Sequence, residues 1–408
     1  MPRHARPPVL LSYATFILIG VTAGANGVLL VAQMADYRVD QATIGIMFFT
    51  GSAGFALAGL HSGELIHRFG FRMTSVIGSG AYVVVGLYLA TRPPFLALVL
   101  VQLVMGYATG LLESVLNAYI ASLPDARTLL NRLHAFFGVG ALLGPVLAAW
   151  IVGFASWTVV WLVLAMTCVP LLAGFLAIYP GQRPAEPAAQ VSEPSAPPSG
   201  SLLRATLRER GVLFGAVLLA VYVGIELGVG NWGFSYLIQA RGLSRSLAGY
   251  SVSGYWLGLT AGRFLISPIA ARIGATTVGM MYACMIGITV TATLAWLSPV
   301  GVGAIAALVL LGFSLGPIFP TTMAMVPQLA EGRLGPTAIG VMNAGSVVGG
   351  AALPWLAGVI AQSTGMWTLL PFTVTLGVIQ FAAWRPLAHR IRTPAELPSL
   401  PVWRTRPG

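Results

Sequence analysis

Apolar stretches of about 20 residues recur along the whole chain, with short polar segments between them. A stretch of this length lets an α-helix cross the hydrocarbon core of a bilayer. The pattern therefore predicts an all-α membrane protein with twelve transmembrane helices. The first six helices are expected at approximately 9–31, 41–61, 74–90, 95–122, 132–154 and 158–179, and the second six at approximately 211–239, 246–268, 276–297, 301–326, 337–361 and 368–385.

Residues 180–201 separate the sixth helix from the seventh and contain six prolines, together with Ala, Ser, Gln and Glu. Such a composition cannot pack a core and predicts a flexible linker outside the membrane. We expect four regions. They are an N-terminal six-helix half (1–179), a cytoplasmic linker (180–210), a C-terminal six-helix half (211–385) and a cytoplasmic tail (386–408).

The composition supports the membrane assignment, because 57% of the residues are hydrophobic and only 8% are charged. A soluble enzyme or a nucleic-acid-binding module of this length would carry about a quarter charged residues. The net charge of +11 comes from 22 arginines without any lysine. Only Arg38, Arg92, Arg241 and Arg245 fall in segments on one side of the membrane, and the other eighteen fall on the side of the linker. The positive-inside rule then places both termini in the cytoplasm, as in a multi-pass protein of the bacterial inner membrane.

An internal repeat indicates that the two six-helix halves are pseudo-symmetric. The second-to-third connection, Gly63 to Arg72, has a counterpart in the eighth-to-ninth connection, which reads Gly262-Arg263-Phe264-Leu265 and then Ala271-Arg272-Ile273-Gly274. Paired glycines four residues apart also recur in corresponding helices, at 140 and 144 in the fifth and at 345 and 349 in the eleventh. Such pairs let helix backbones approach closely. Two equivalent halves with a site between them near the midplane are typical of a rocking transporter.

Two carboxylates lie deep inside predicted spans, Glu113 in the fourth helix and Glu226 in the seventh. A charge at this depth costs about 2.5–3.5 kcal/mol on insertion scales, so it usually faces a cavity or a partner. Glu113 shares a helical stripe with Asn117 and two glycines, which describes a polar cavity wall. We expect both acids to couple transport to protons, although either could instead hydrogen-bond a neighbouring helix for structure alone.

Glu226 lies in a glycine-rich segment that also holds Asn231 and Trp232, an amide and an indole suited to a polar ring-shaped ligand. Its glycines also match a dinucleotide-binding pattern, but no strand precedes them, so this match is rejected. Asn343 in the eleventh helix is a further candidate for contact with the solute. His134, near the cytoplasmic end of the fifth helix, is a candidate for a conformational role, with an interface role as the alternative. The tenth helix must kink at its prolines.

No motif in the sequence indicates an enzyme. There is no nucleophile elbow, no metal-ligand spacing on one helix and no phosphate-binding loop ending in Gly-Lys-Ser. We therefore predict no cofactor and no metal, and transport that is not driven by ATP.

The loop from Gly63 to Arg72 and the six-linker-six plan resemble the major facilitator superfamily. The family's second-to-third loop reads Gly-x-Leu-Ala-Asp-Arg-x-Gly-Arg-Lys. The positions that match are Gly63, Leu65, Arg68, Gly70 and Arg72. His67 stands where the family has an aspartate that helps latch the cytoplasmic side in the outward-open state. The resemblance implies a conformational role for this loop and, by the repeat, for Arg263.

More narrowly, the chain resembles the fucose-permease-like branch of sugar:proton symporters. The segments that carry this likeness are Leu111–Ile120, Leu130–Gly140 and Tyr222–Tyr236. The resemblance implies that Glu113 matches the branch's proton-coupling glutamate. The aspartate of the fucose permease's first helix has no acidic match, and Asn26 is the nearest polar side chain. Glu226 is a candidate to replace the missing acid.

These observations predict a secondary transporter that imports a sugar or similar small polar solute with a proton, or with sodium, by alternating access. We expect a monomer in the lipid bilayer and no nucleic-acid partner. The first alternative is a proton-driven exporter of drugs or metabolites on the same fold. The more remote alternative is a transporter-like membrane sensor, which the short proline-rich linker and tail disfavour.

Overall fold

The computed structural model describes residues 6–179, 199–299, 301–330 and 332–391. Most of the expected linker (180–198) and most of the expected tail (392–408) lie outside the described residues. Within these ranges the chain forms helices and connecting turns, as predicted for an all-α protein. The α-helices are α1 (Arg6–Tyr37), α2 (Gln41–Ile44), α3 (Ile46–Ala90), α4 (Phe95–Ala121), α5 (Ala126–Val152), α6 (Trp157–Ile178), α7 (Ser199–Thr206), α8 (Arg210–Gln239), α9 (Arg245–Arg272), α10 (Thr277–Leu297), α11 (Gly301–Leu315), α12 (Ile318–Ala324), α13 (Val326–Leu329), α14 (Gly335–Thr364) and α15 (Leu369–Ala388).

Twelve membrane crossings account for these helices. Ten described segments are long and apolar enough to span a bilayer, and one of them, Gln41–Ala90, has 50 residues. Gly70 divides this segment into the second and third crossings, because its φ of +74° leaves helical geometry. α9 is more polar than the others and supplies the eighth crossing by its length of 28 residues. The prediction of twelve transmembrane helices is confirmed.

The same pairs of helices pack in both halves, which confirms their pseudo-symmetry. In the first half, α1 packs on α5, and α3 packs on both α4 and α6. In the second half, α8 packs on α14, α9 packs on α11, and α10 packs on α15. These are the same pairs by order of crossing: first with fifth, second with fourth, and third with sixth.

Glycines allow several of these pairs to pack backbone against backbone. A Cβ added at Gly140 of α5 would lie 2.1 Å from the carbonyl oxygen of Ile17 in α1. In the matching pair of α14, Gly349 would place a Cβ 2.1 Å from the carbonyl oxygen of Ala220 in α8. No larger residue fits these positions without moving a helix. The paired glycines read from the sequence therefore lie at equivalent close crossings.

Some expected boundaries were wrong. α9 continues to Arg272, past the expected end at 268, and Gly262 and Arg263 lie inside it and not in the connection that the internal repeat predicts. The first connection is also shorter than expected, since Gly63 to Arg72 stays helical except at Gly70. The tenth crossing breaks into α11, α12 and α13, as its prolines predicted. Within the expected linker, residues 199–206 form the short helix α7.

The bundle has two ends, which we name by their connections. The linker face holds the ends of α6 and α15 and the starts of α1 and α8, and the far face is opposite. The halves touch each other toward the far face. A Cβ at Gly27 of α1 would lie 2.8 Å from the carbonyl oxygen of Asn231 in α8, and one at Gly249 of α9 would lie 3.0 Å from Ala149 of α5. The far face is therefore closed.

Polar contacts within the first half fix helix ends at the far face. Asp36, near the end of α1, forms an ion pair of 2.5 Å with Arg92, which lies between α3 and α4. Its other carboxylate oxygen accepts a hydrogen bond of 2.8 Å from the indole of Trp157 at the start of α6. Asp36 therefore sets the register of α1 against α6.

Candidate functional site

A cavity of about 460 Å³ lies between the two halves. Its wall includes residues of α1, α3, α4, α5 and α6 from one half and α8, α12 and α14 from the other. We call it the central cavity. Its volume falls in the range of about 300–1,000 Å³ that is usual for small-molecule sites.

A second cavity of about 1,370 Å³ continues toward the linker face. We call it the vestibule. It is lined by the first turns of α5 and α10, the last turns of α9, and α12 and α13. Both cavities share Glu113, Phe137, Val223, Glu226 and Phe319, so these residues mark their junction. The molecule is closed at the far face and accessible from the linker face.

The two acids singled out from the sequence meet at this junction. Glu113 comes from α4 in the first half and Glu226 from α8 in the second, and each lines both cavities. Both are partly buried among apolar neighbours. The carboxylates therefore stand where an alternating cavity would change the side from which they are reached.

Arg263 provides the positive charge at the junction. Its Nη2 lies 3.8 Å from Oε1 of Glu226 and donates a hydrogen bond of 3.4 Å to the hydroxyl of Tyr222. It also interacts electrostatically with Glu113 of the other half. Among the described residues that line the two cavities, Arg263 is the only arginine. Its charge inside a predicted span is a signal in the sequence, whereas the internal repeat predicts a loop at Arg263.

Three of the predicted amides reach the central cavity and one does not. Asn26 of α1, Asn231 of α8 and Asn343 of α14 all line it. The amide nitrogen of Asn231 donates to the carbonyl oxygen of Leu227 at 2.9 Å. Asn117 lies outside the lining and donates to the carbonyl oxygen of Glu113 one turn earlier.

Trp232 does not lie in the wall of either cavity. Its indole is fully buried and donates a hydrogen bond of 2.7 Å to the carbonyl oxygen of Pro354. It also meets Phe48 edge to face. The contacts thus place it between the halves as a packing residue. The indole in the central cavity belongs to Trp161 of α6, and Gln33 and Gln102 line the same cavity. None of these three side chains is predicted from the sequence, because nothing in an apolar helix marks which tryptophan or glutamine faces inward.

The loop residues predicted from the family motif lie at the linker face, away from the central cavity. Gly63, His67 and Arg68 are exposed. Gly70 makes the turn between two crossings, a conformation that favours glycine. Arg72 donates a hydrogen bond of 2.6 Å to the carbonyl oxygen of Tyr179, which ties α3 to the end of α6.

His134 lies between the linker-face segment Gly63–Arg72 and the central cavity. Its ring meets Phe16 of α1 edge to face at 5.6 Å, and it lines the vestibule.

Among the described residues, no group of three His, Cys, Asp or Glu side chains is arranged to hold a metal ion. The two cysteines, Cys168 and Cys284, are buried and free.

Comparison with known families decides the class of protein. The family model of the Major Facilitator Superfamily matches residues 11–331 and 231–404. The chain belongs to this superfamily. It is therefore a multi-pass membrane transporter and not an enzyme, as predicted.

Individual members of the superfamily are distant from this chain. It is 24% identical to bypass of stop codon protein 6 of Saccharomyces cerevisiae, over 88% of the chain and 78% of that protein. It is 23% identical to the glucose/mannose transporter GlcP of Bacillus subtilis, over 92% of the chain and 93% of that protein. A crystal structure of the E. coli fucose:proton symporter FucP has a TM-score of 0.62 at 16% identity, covering 95% of this chain and 99% of that chain. At this identity the structural likeness concerns the fold.

Proposed function

We propose that this protein imports a sugar or similar small polar solute together with a proton, by alternating access between the two halves. The observation that carries the proposal is the meeting of Glu113 and Glu226, one from each half, at the junction of the central cavity and the vestibule. Two relatives, a glucose/mannose transporter and a fucose:proton symporter, support the class of solute and the coupling ion.

The proposal assigns the regions of the chain. Residues 1–179 and 211–385 are the two moving halves, 180–210 is the linker and 386–408 is the tail. The excess of arginine at the linker face supports a cytoplasmic location for the linker and both termini in a bacterial inner membrane. The state described above is then inward-facing, and the transporter acts as a monomer in the lipid bilayer.

The site residues have separate roles in this proposal. Glu113 takes up a proton when the cavity faces outward and releases it into the vestibule when the cavity faces inward. Asn26, Asn231 and Asn343 contact the solute. Glu226 and Arg263 form a charge pair whose geometry changes as the halves rock. The linker-face segment with Gly63, His67, Arg68, Gly70 and Arg72, together with His134, stabilises one of the two states.

The test is uptake by purified protein in liposomes, with D-glucose, D-mannose and L-fucose as solutes. Glu113→Gln keeps the shape and hydrogen bonding of the side chain but removes its titration. We expect the variant to lose accumulation driven by an imposed pH gradient. It should retain solute binding and counterflow at equal pH on both sides. Glu226→Gln is the comparison, and it should chiefly weaken binding.

Three results would contradict the proposal. Full pH-driven accumulation by Glu113→Gln would remove this residue from coupling. Accumulation that follows a sodium gradient at equal pH would replace the proton by sodium. Cells that lower their content of the solute when they make the protein would indicate export.

A further inference from the structure

The central cavity is divided by polarity along its length. Its acids, Glu113 and Glu226, lie at the end shared with the vestibule. The polar side chains nearer the far face are uncharged and include Gln33, Gln102 and Asn231. The apolar side chains Leu29, Leu30 and Phe48 line the same cavity. This uncharged end of the cavity carries no group that would neutralise a charged solute.

Two side chains at the uncharged end have donors with no partner. Gln33 of α1 is 1% exposed, and its amide nitrogen makes no hydrogen bond to any described residue. Trp161 of α6 is 2% exposed, and its indole nitrogen likewise has no partner among the described residues. A buried donor without an acceptor is costly and uncommon in folded proteins. Both side chains line the central cavity, so a solute that fills it can provide the missing acceptors once the two buried N–H groups turn toward it.

The two donors belong to neighbouring turns of contacting helices. The hydrogen bond from Trp157 to Asp36 sets α6 against α1 at the far face. α1 and α6 run in opposite directions, and Gln33 and Trp161 each lie one turn deeper from this bond. They therefore share one level of the wall. An amide N–H and an indole N–H at one level can donate to two oxygens of the same ring.

We propose that Gln33 and Trp161 form a specificity subsite that donates hydrogen bonds to two oxygen atoms of a neutral, hydroxylated ring. The inference deepens the proposed function and rests on it for the site, but it does not depend on proton coupling. The subsite selects by hydroxyl position, because an analogue that lacks one of the two oxygens leaves a buried donor unpaired again. The apolar side chains beside the donors pack against the faces of the ring.

The experiment measures binding of D-glucose and of its monodeoxy analogues to the purified protein at a single pH. Trp161→Phe keeps the ring and removes the N–H, and Gln33→Leu keeps the approximate shape and removes the amide. Trp256→Phe and Gln380→Leu are matched controls. These two side chains are also buried with unpartnered polar atoms among the described residues, but they line neither cavity.

We expect the wild type to bind one monodeoxy analogue about tenfold more weakly than D-glucose for each donor, close to one lost hydrogen bond. Trp161→Phe and Gln33→Leu should each bind D-glucose about tenfold more weakly and lose the discrimination at one hydroxyl. A simple packing defect would weaken all sugars equally, as measured by the same titration. The controls should bind every sugar as the wild type does.

Two results would overturn the subsite. The first is an unchanged pattern of deoxy discrimination in both variants while the controls behave as expected. The second is an absence of saturable binding of D-glucose, D-mannose and L-fucose to the wild type, which would exclude a neutral hydroxylated ring. Binding that follows the expected pattern without pH-driven uptake would establish the subsite and contradict proton coupling alone.

Discussion

Gln362 of α14 donates a hydrogen bond of 2.7 Å to the carboxylate of Asp40, which caps the start of α2. The same amide accepts a hydrogen bond of 3.2 Å from the backbone N–H of Ala42. One side chain of the second half is thus bonded twice to the first half at the far face. We call this arrangement the far-face latch. It must break when the cavity opens on that side.

Gln362→Leu should raise the population that is open at the far face. Exposed hydrogen bonds are weak, so we expect a change of a few fold and not a complete switch. Leu96 and Leu297 are exposed at the far-face ends of α4 and α10. Spin labels at these two positions would report the distance between the halves by pulsed electron paramagnetic resonance. Ser363→Ala is the control, because the Ser363 hydroxyl donates to Ile360 within its own helix. An unchanged distance distribution in Gln362→Leu would show that the latch does not hold the closed state.

The latch should not respond to physiological pH. Hydrogen bonds from the side chain and backbone of Thr43, and then from Gln362, hold the pKa of Asp40 below its ordinary value. Because this pKa is lowered, the ionised Asp40 carboxylate contributes fully to the latch above the ordinary aspartate pKa of about 3.9. This contribution is lost only as the pH falls through the lowered pKa of Asp40. The difference between the label distances of the wild type and those of Asp40→Asn should therefore stay constant between about pH 5 and 8. A difference between the two proteins that grows as the pH falls within this window would contradict the assignment.

The sequence predicted what periodicity and bilayer energetics determine. Twelve crossings follow from apolar length, and the expectation that Glu113 and Glu226 each face a cavity or a partner follows from the cost of a carboxylate in a span. The sequence was a poorer guide to the direction in which a side chain points around its helix axis. Trp232 was expected to contact the solute but hydrogen-bonds Pro354, whereas Trp161 reaches the cavity. The hydrophobic pattern cannot separate these cases, because both tryptophans lie in almost wholly apolar helices and only helix packing sets their direction.

Close packing of α8 on α14 provides a prediction about stability. Gly349→Ala would place a Cβ 2.1 Å from the carbonyl oxygen of Ala220, so the helices must move apart. We expect a loss of about 1–3 kcal/mol, the usual range for overpacking. Gly340→Ala in the same helix is the control, because its Cβ would have nothing within 4 Å. Thermal unfolding of the purified proteins would compare them, and equal midpoints for the two variants would contradict the close approach.

The charge pair at the junction provides the last prediction. Arg263 lies within α9 and is partly buried. Its guanidinium lies 3.8 Å from the carboxylate of Glu226 and also interacts electrostatically with Glu113 of the other half. Arg263→Gln leaves both carboxylates in the cavity wall without their cation, and removing one partner of a buried pair costs more than removing both. We therefore expect Arg263→Gln to lower the unfolding midpoint and to abolish counterflow.

Arg263→Gln combined with Glu226→Gln should recover part of the stability. In a double-mutant cycle the coupling should be about 1 kcal/mol, near the low end for contacting charges because the separation is long. Pairing Arg263→Gln with Gln380→Leu, which lies outside both cavities, should show no coupling. Additive effects of the substitutions at Arg263 and Glu226 would show that the two charges do not act as a pair.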